Sequence, residues 1–415
     1  MAQSFSPAGF MADVPRGKTW EYVKTQTPPQ ARWQDPDAIL ASAALSYDPR
    51  KPGGKILIGA LGDRLIGIAD NRHIQPVAGN RAGKSVTVIA NLLFYDGSVL
   101  AVDPKGELAS KTALTRARLG QRVVILDPFE TVTGEAAKFR ARYNPLSVIR
   151  HGNPFNVEDA VLITDGLVVT TGEEKEPHWN ESAAHFLTGL LLVTGLGPSV
   201  PDGDRHLGTT RALALRALET EADGETYALA RRMQLDAHAI AEAGDEDTAL
   251  AIEGAVASFY EKPETEMAGV LSTLRRHTQF LDYRAMKSVL RGHDVDLADL
   301  KREDLSIFLC LPALRMQMCN RWLRLILNQF LDAMERDRTE PESPVLCVID
   351  EFPVLGHMKQ LENAAGQIAS FGVKLWTILQ DWGQGKAIYK DRFESFAANA
   401  GIAQFFGNVA LTTTE

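Results

Sequence analysis

The stretch "VAGNRAGKSVTV", Val77 to Val88, decides how the rest of the chain is read. Short apolar text runs into a turn that closes on Gly83, Lys84 and Ser85, and helical periodicity follows in "KSVTVIANLLFY". A strand ending near Ala78 and a helix starting near Lys84 would make this a phosphate loop, with Ala78 in place of the usual first glycine. Alanine serves there if the backbone needs no positive φ. In that setting the N–H groups of Arg81 to Ser85 aim at a phosphate chain, whose charge the helix dipole favours. The candidate nucleotide-binding residues are therefore Gly79, Asn80, Arg81, Ala82, Gly83, Lys84, Ser85 and Val86. Lys84 would meet the β- and γ-phosphates, and Ser85 would hold Mg²⁺. Outside a strand-to-helix setting the same letters spell an ordinary turn, so the flanking text must supply the setting.

Outward from the loop, "IQPVA", "SVLAVD" and "RVVILD" are strand-sized apolar runs, and "KSVTVIANLLFY" and "ELASKTALTRARLG" between them have helical spacing. This alternation predicts βαβ units and a parallel sheet. After "RYNPLSVI" the text becomes Ala, Leu and charge at helical spacing, as in "ESAAHFLTGLLLV", "ETYALARRMQLDAHAIAEA" and "EDTALAIEGAVASFY", which predicts an inserted all-helical subdomain. Strand text resumes with "LSIFLCLP", "VLCVIDE", "GVKLWTILQD" and "IAQFFG", so the sheet is expected to draw on both sides of the insert. Ahead of the loop, "KILIGALGDRLIGIAD" alternates like a small hairpin after an irregular arm rich in Pro and Gly.

Two further strand ends carry chemistry. "VLCVIDE" is a continuously apolar run that delivers Asp350 and Glu351 to the carboxyl edge of a parallel sheet, where ligands bind. Asp350 is the second candidate Mg²⁺ ligand beside Ser85, and Glu351 the group to polarise an attacking water. "VKLWTILQD" ends in Gln380, a neutral amide able to sense the γ-phosphate and position water. Lys84, Glu351 and Gln380 are thus the candidate catalytic residues. Each strand end has a bland alternative as helix- or strand-end capping. In "VLAVDPKGELA" and "VVILDPFE" the capping reading places Asp103 or Asp127 at an N-cap with proline at the first helical position. It is adopted for Asp127, while Asp103, Lys105 and Glu107 keep an open role beside the nucleotide.

The composition excludes several classes. A net charge of −9 over 415 residues argues against a protein that coats nucleic acid over its whole surface. The basic segments "STLRRHTQF" and "KTALTRARLGQR" are accordingly read as solvated helix faces rather than DNA-facing ones. Cys310, Cys319 and Cys347 have no C-x-x-C spacing and read as small buried hydrophobes in a reducing compartment. The longest apolar stretch, "FLTGLLLVTGLG", falls far short of the roughly 20 residues that span a bilayer.

Taken in order, "AGNRAGKS", "NLLFYDGSVLAVDPKGELA", "RYNPL", "VLSTLRRHTQFLD", "RWLRLILNQFLD", "VIDEFPVLG" and "LWTILQDWGQGKAIYKDRFESFAANAGIAQFFG" resemble the coupling-protein ATPases of type IV secretion and conjugation, the TraG/TraD kind. The resemblance runs from about Ala31 to the last residues. It implies a RecA-like P-loop ATPase core with a mostly parallel sheet and an all-α insertion, using ATP and Mg²⁺ as a homo-hexamer at the cytoplasmic face of the inner membrane. Such a motor receives relaxase-bound single-stranded DNA, or effector proteins, and feeds the secretion channel. By position, Lys84, Ser85, Asp350, Glu351 and Gln380 match the family's nucleotide-site residues. On this footing residues 1–70 form the arm and small β element, 71–147 the first part of the RecA-like domain, 148–265 the all-α insert and 266–415 the second part.

Two departures shape the expectations. Members usually begin with two membrane-spanning helices where this chain has a polar arm, so membrane contact is expected only through a partner. They also usually continue past "FFGNVALTTTE", so a largely monomeric chain is expected, one that binds ATP and Mg²⁺ but hydrolyses slowly even with single-stranded DNA added. Two other readings compete: a double-strand DNA pump of the FtsK/HerA kind, which would share the nucleotide motifs but not "DPKGEL" or "WLRLILNQFLD", and a docking module that hydrolyses nothing.

Overall fold

Strands that are apolar along their whole length need cover on both faces. The computed structural model, which describes residues 34–79, 82–169 and 177–407, shows how they get it. β1 (Ile56–Leu61) and β2 (Arg64–Ile68) pair antiparallel as the expected hairpin. The strands that follow are β3 (His73–Ala78), β4 (Val99–Asp103), β5 (Arg122–Leu126), β6 (Leu305–Cys310), β7 (Val345–Ile349), β8 (Val373–Thr377) and β9 (Ala400–Phe406). They form one sheet in the order β5-β6-β4-β7-β8-β3-β9, with every pairing parallel. Because all run the same way, the carboxyl ends of β3, β4, β7 and β8 share one edge.

Side chains alternate between two cores, as the period of two requires. Leu100 and Val102 of β4, with Val345, Cys347 and Ile349 of β7, enter one core. Val99, Ala101, Leu346 and Val348 enter the other. That second core is closed by α1 (Lys84–Phe94) and α2 (Glu107–Arg118), through Val88, Leu92, Leu108 and Ala113. All three cysteines are buried and free, consistent with the hydrophobe reading.

Among the described residues no strand longer than an isolated bridge lies between β5 and β6. The longer helices there are α3 (Asn156–Leu167), α4 (Pro177–Leu196), α5 (Leu207–Leu215), α6 (Ala228–Glu242), α7 (Glu246–Tyr260), α8 (Glu264–Thr278) and α9 (Arg284–Leu290). Phe186 of α4 stacks on Phe259 of α7 with ring centroids 3.9 Å apart. After β6 comes α10 (Ala313–Arg336), whose buried face joins the first core. A Cβ at Gly166 of α3 would stand 2.8 Å from the Leu325 Cα of α10, so these two backbones touch where only glycine fits. No helix among the described residues is long and apolar enough to cross a membrane.

Three local expectations are corrected. The basic face of "KTALTRARLGQR" is not wholly solvated: Arg116 is fully buried. Its guanidinium donates to the Leu92, Tyr95 and Gly97 carbonyls at 2.6, 3.2 and 2.8 Å and to Ser306 Oγ. Burial lowers its pKa to about 10, still charged at neutral pH. In "STLRRHTQF", Leu274, His277, Thr278 and Phe280 are buried and Arg275 donates to the Leu215 carbonyl, so much of this face packs rather than hydrates. Asp127 caps no α-helix; its carboxylate accepts from Thr131 and Val132 N–H and closes a turn. Arg116→Ala would take a donor from each of four acceptors and leave a cavity, and is expected to cost about 3–5 kcal/mol. A urea midpoint that moves by less than about 1 kcal/mol equivalent would show that water restores those contacts.

Candidate nucleotide site

β3 ends at Ala78, which is fully buried and extended, with its N–H on the Leu379 carbonyl at 2.9 Å. It is not among the residues of positive φ, which is why alanine is tolerated in place of glycine. A turn follows, in which Ala82 N–H donates to the Gly79 carbonyl at 3.3 Å. Gly83 then caps α1 at φ 102, a conformation that disfavours any side chain. Asn80 and Arg81 lie outside the described residues. The first-turn N–H groups of Lys84 and Ser85 have no intrahelical acceptor, as at any helix start, and stand at the mouth of the site.

A cavity of about 1100 Å³ opens here, at the carboxyl edge of the sheet. Gly83, Lys84, Ser85 and Val86 line one side, and Asp350, Glu351 and Gln380 line the other. Seven of the candidate binding and catalytic residues thus meet in one place; Gly79 and Ala82 stand in the turn before α1 and do not line it. Gln380 Nε2 donates to Glu351 Oε1 at 3.2 Å, and Gln384 Oε1 accepts the Gln380 N–H at 3.0 Å. The strand-end amide and carboxylate therefore orient each other. Trp382–Tyr389 forms α11, whose start supplies Gln384.

Asp350 has its pKa pushed up to about 6, first by burial and then by the Asp103 and Glu351 carboxylates, against the pull of Lys84 and Lys105. Its Oδ1 is buried with no hydrogen-bond partner among the described residues. A buried acceptor left without a donor costs stability unless something binds it. The fit to a divalent cation beside Ser85 is good on that ground. Protein ligands here are few, since the described residues hold no cluster of three His, Cys, Asp or Glu; Mg²⁺ is typically held by one or two carboxylates plus phosphate oxygens and water.

Asp103 is a scaffold group rather than a lining one. Its oxygens accept from Glu107 N–H at 3.0 Å and Ala109 N–H at 2.9 Å, so it ties down the start of α2. The helix begins at Glu107 behind Gly106, not at Pro104, so the N-cap register expected from "DPK" is off by three residues. Glu107 pairs with Lys111 on the exposed face of α2, while Lys105 does line the cavity. Sequence reasoning missed Leu314, Met316 and Gln317, which the first turn of α10 brings to the cavity. Their only signal was "LCLP", a strand end followed by proline.

A wholly parallel sheet with a phosphate loop after β3 and a carboxylate pair after β7 is a RecA-like phosphate-loop fold. The chain belongs to the family described as Type IV secretory system Conjugative DNA transfer, which matches residues 39–414. It is similar to the type IV secretion system-coupling protein VirD4 of Bartonella quintana, 26% identical over 80% of this chain and 50% of that protein. It is also similar to the conjugal transfer protein TraG of Escherichia coli, 27% identical over 76% of this chain and 49% of that protein. The chain spans about half the length of the curated relatives it matches. Among solved structures, the plasmid coupling protein TrwB in complex with ADP and Mg²⁺ shares the fold, with TM-score 0.56, 16% identity, and coverage of 79% of this chain and 69% of that one.

Proposed function

We propose that this chain is the ATP-driven part of a coupling protein, which recruits relaxase-bound single-stranded DNA or effector protein and feeds it to a type IV secretion channel. The observation that carries the reading is the facing of Lys84 and Ser85 across one cavity by Asp350, Glu351 and Gln380. Family membership and the nucleotide and Mg²⁺ in the TrwB structure support it. ATP would lie with its phosphates on the helix start of α1, where N–H groups and Lys84 balance their charge. Ser85 and Asp350 would hold Mg²⁺, which when bound neutralises charge on the β- and γ-phosphates. Glu351 draws the proton of the attacking water, and Gln380, held by Glu351 and Gln384, orients that water.

In this reading the division of the chain is arm and hairpin to 70, ATPase core in 71–147 and 266–415, and helical insert in 148–265. The working form is a homo-hexamer at the cytoplasmic face of the inner membrane.

The test is ATP turnover by the purified chain with Mg²⁺, with and without single-stranded DNA. Magnesium-dependent hydrolysis is expected, with any stimulation by DNA coming from single strands. Acceleration by duplex alone would favour the double-strand pump, and tight ATP binding without turnover under any condition would favour the docking module.

A further inference from the structure

Remote from the nucleotide cavity, a second one of about 510 Å³ lies among the helices between β5 and β6. The loop after α4, the amino end of α5, α6 and α9 form its walls. Four features of that wall point to an anion.

His206 immediately precedes α5, lines the cavity and is 6% exposed. Its Nδ1 accepts the Thr209 N–H at 3.3 Å, so the neutral ring carries its proton on Nε2. Nε2 has no hydrogen-bond partner among the described residues. Burial first, then the charge of Arg291, holds the ring's pKa down, with exposed Asp204 and the residue's own backbone opposing. A donor without a protein acceptor, on a largely buried side chain, therefore stands on the wall.

Lys287 of α9 and Arg291 at its end are four residues apart and line the same cavity. Neither has a carboxylate within ion-pair distance among the described residues, in a chain whose net charge is −9. Arg232 also reaches the cavity, fixed by donating to Ser199 Oγ at 2.6 Å and to the Ser199 carbonyl at 2.9 Å. Against these cations the lining offers one carboxylate, Asp204. Gly208, in the first turn of α5, presents an N–H without an intrahelical acceptor. A Cβ at this position would press to 3.1 Å from the His206 ring.

We propose that this cavity binds a phosphate dianion, free or as the terminal group of a monoester, with Lys287 and Arg291 supplying charge and His206 Nε2–H and Gly208 N–H supplying directed hydrogen bonds. Two unpaired cations match a doubly charged terminal phosphate. A volume near 510 Å³ suits a small ligand better than a strand that must run through. The site is separate from the ATP cavity and does not depend on its assignment.

The test starts from the Lys84→Ala chain, which removes the lysine of the competing phosphate loop. Binding of inorganic phosphate and of adenosine 5′-monophosphate is measured by calorimetry, before and after adding Lys287→Ala and Arg291→Ala. Because neither side chain is ion-paired, an unchanged melting temperature without ligand is expected; the Lys287→Gln, Arg291→Gln pair repeats the test if the alanines melt early. At least tenfold weaker binding of a probe in the triple variant supports the site. If adenosine monophosphate binds more than tenfold tighter than phosphate, the ligand is a phosphorylated small molecule; equal affinities assign free phosphate. The proposal fails if the Lys84→Ala chain binds neither probe, or if the triple variant binds them unchanged. It also fails if the Lys287- and Arg291-dependent affinity is greatest for a single-stranded oligonucleotide without terminal phosphates, which would assign the wall to a diester backbone.

Discussion

Lys84→Ala is expected to lower ATP turnover by about 10²–10³-fold, because it removes a preorganised charge aimed where negative charge develops on the transferring phosphate. The side chain stands at the first position of α1 on the cavity wall and has no hydrogen-bonded partner among the described residues. Its removal therefore leaves no buried acceptor unsatisfied, and alanine is a better helix former than lysine. The melting curve should stay within about 1 kcal/mol of the parent, the range of surface changes that break no named interaction. Turnover by single-turnover and steady-state assays, read beside a thermal melt, checks both halves. Full turnover by a folded Lys84→Ala chain would remove the phosphate loop from the mechanism.

Glu351→Gln is expected to bind ATP within a few-fold of the parent while turnover falls by about 10²–10⁴, the range of a lost general base. The substitution keeps the volume and an acceptor for Gln380 Nε2, which now donates to Glu351 Oε1 at 3.2 Å. It removes the charge, so the effect belongs in kcat rather than in binding. It also takes away one of the carboxylates that push the Asp350 pKa up, so Asp350 should lose its proton at a lower pH than in the parent. Equilibrium binding of ATP beside kcat separates the roles: a tenfold loss of affinity would place Glu351 around the metal or in the fold instead.

Much of the site was legible because its parts are local. A buried strand ends, a charged or amide residue follows, and parallel strands bring such ends to one edge; Asp350 and Gln380 both followed this rule. The capping residues were legible in kind and not in register. Asp103 and Asp127 do accept backbone N–H groups, yet those donors lie four to six residues on, at a helix start displaced by three residues for Asp103 and in a turn for Asp127. Aspartate serves turns as well as N-caps, so the text "DP" does not choose between them. Arg116 was misread because an arginine at helical spacing looks solvated until the carbonyls that receive it are known. Those carbonyls, Leu92, Tyr95 and Gly97, belong to the end of α1 and the turn after it.

By itself the sequence determined the elements and their chemistry: alternating apolar runs, the loop closing on Lys84 and Ser85, and the carboxylate pair at Asp350 and Glu351. These rest on periodicity and backbone geometry that act within about ten residues. Tertiary structure alone decided the strand order, which sets β8 between β7 and β3, and with it the meeting of Gln380 and Glu351. It also carried the first turn of α10 to the cavity and left Asp350 Oδ1 buried without a donor. These features depend on which faces pack and which polar atoms lose water when distant segments meet, and no spacing along the chain encodes that.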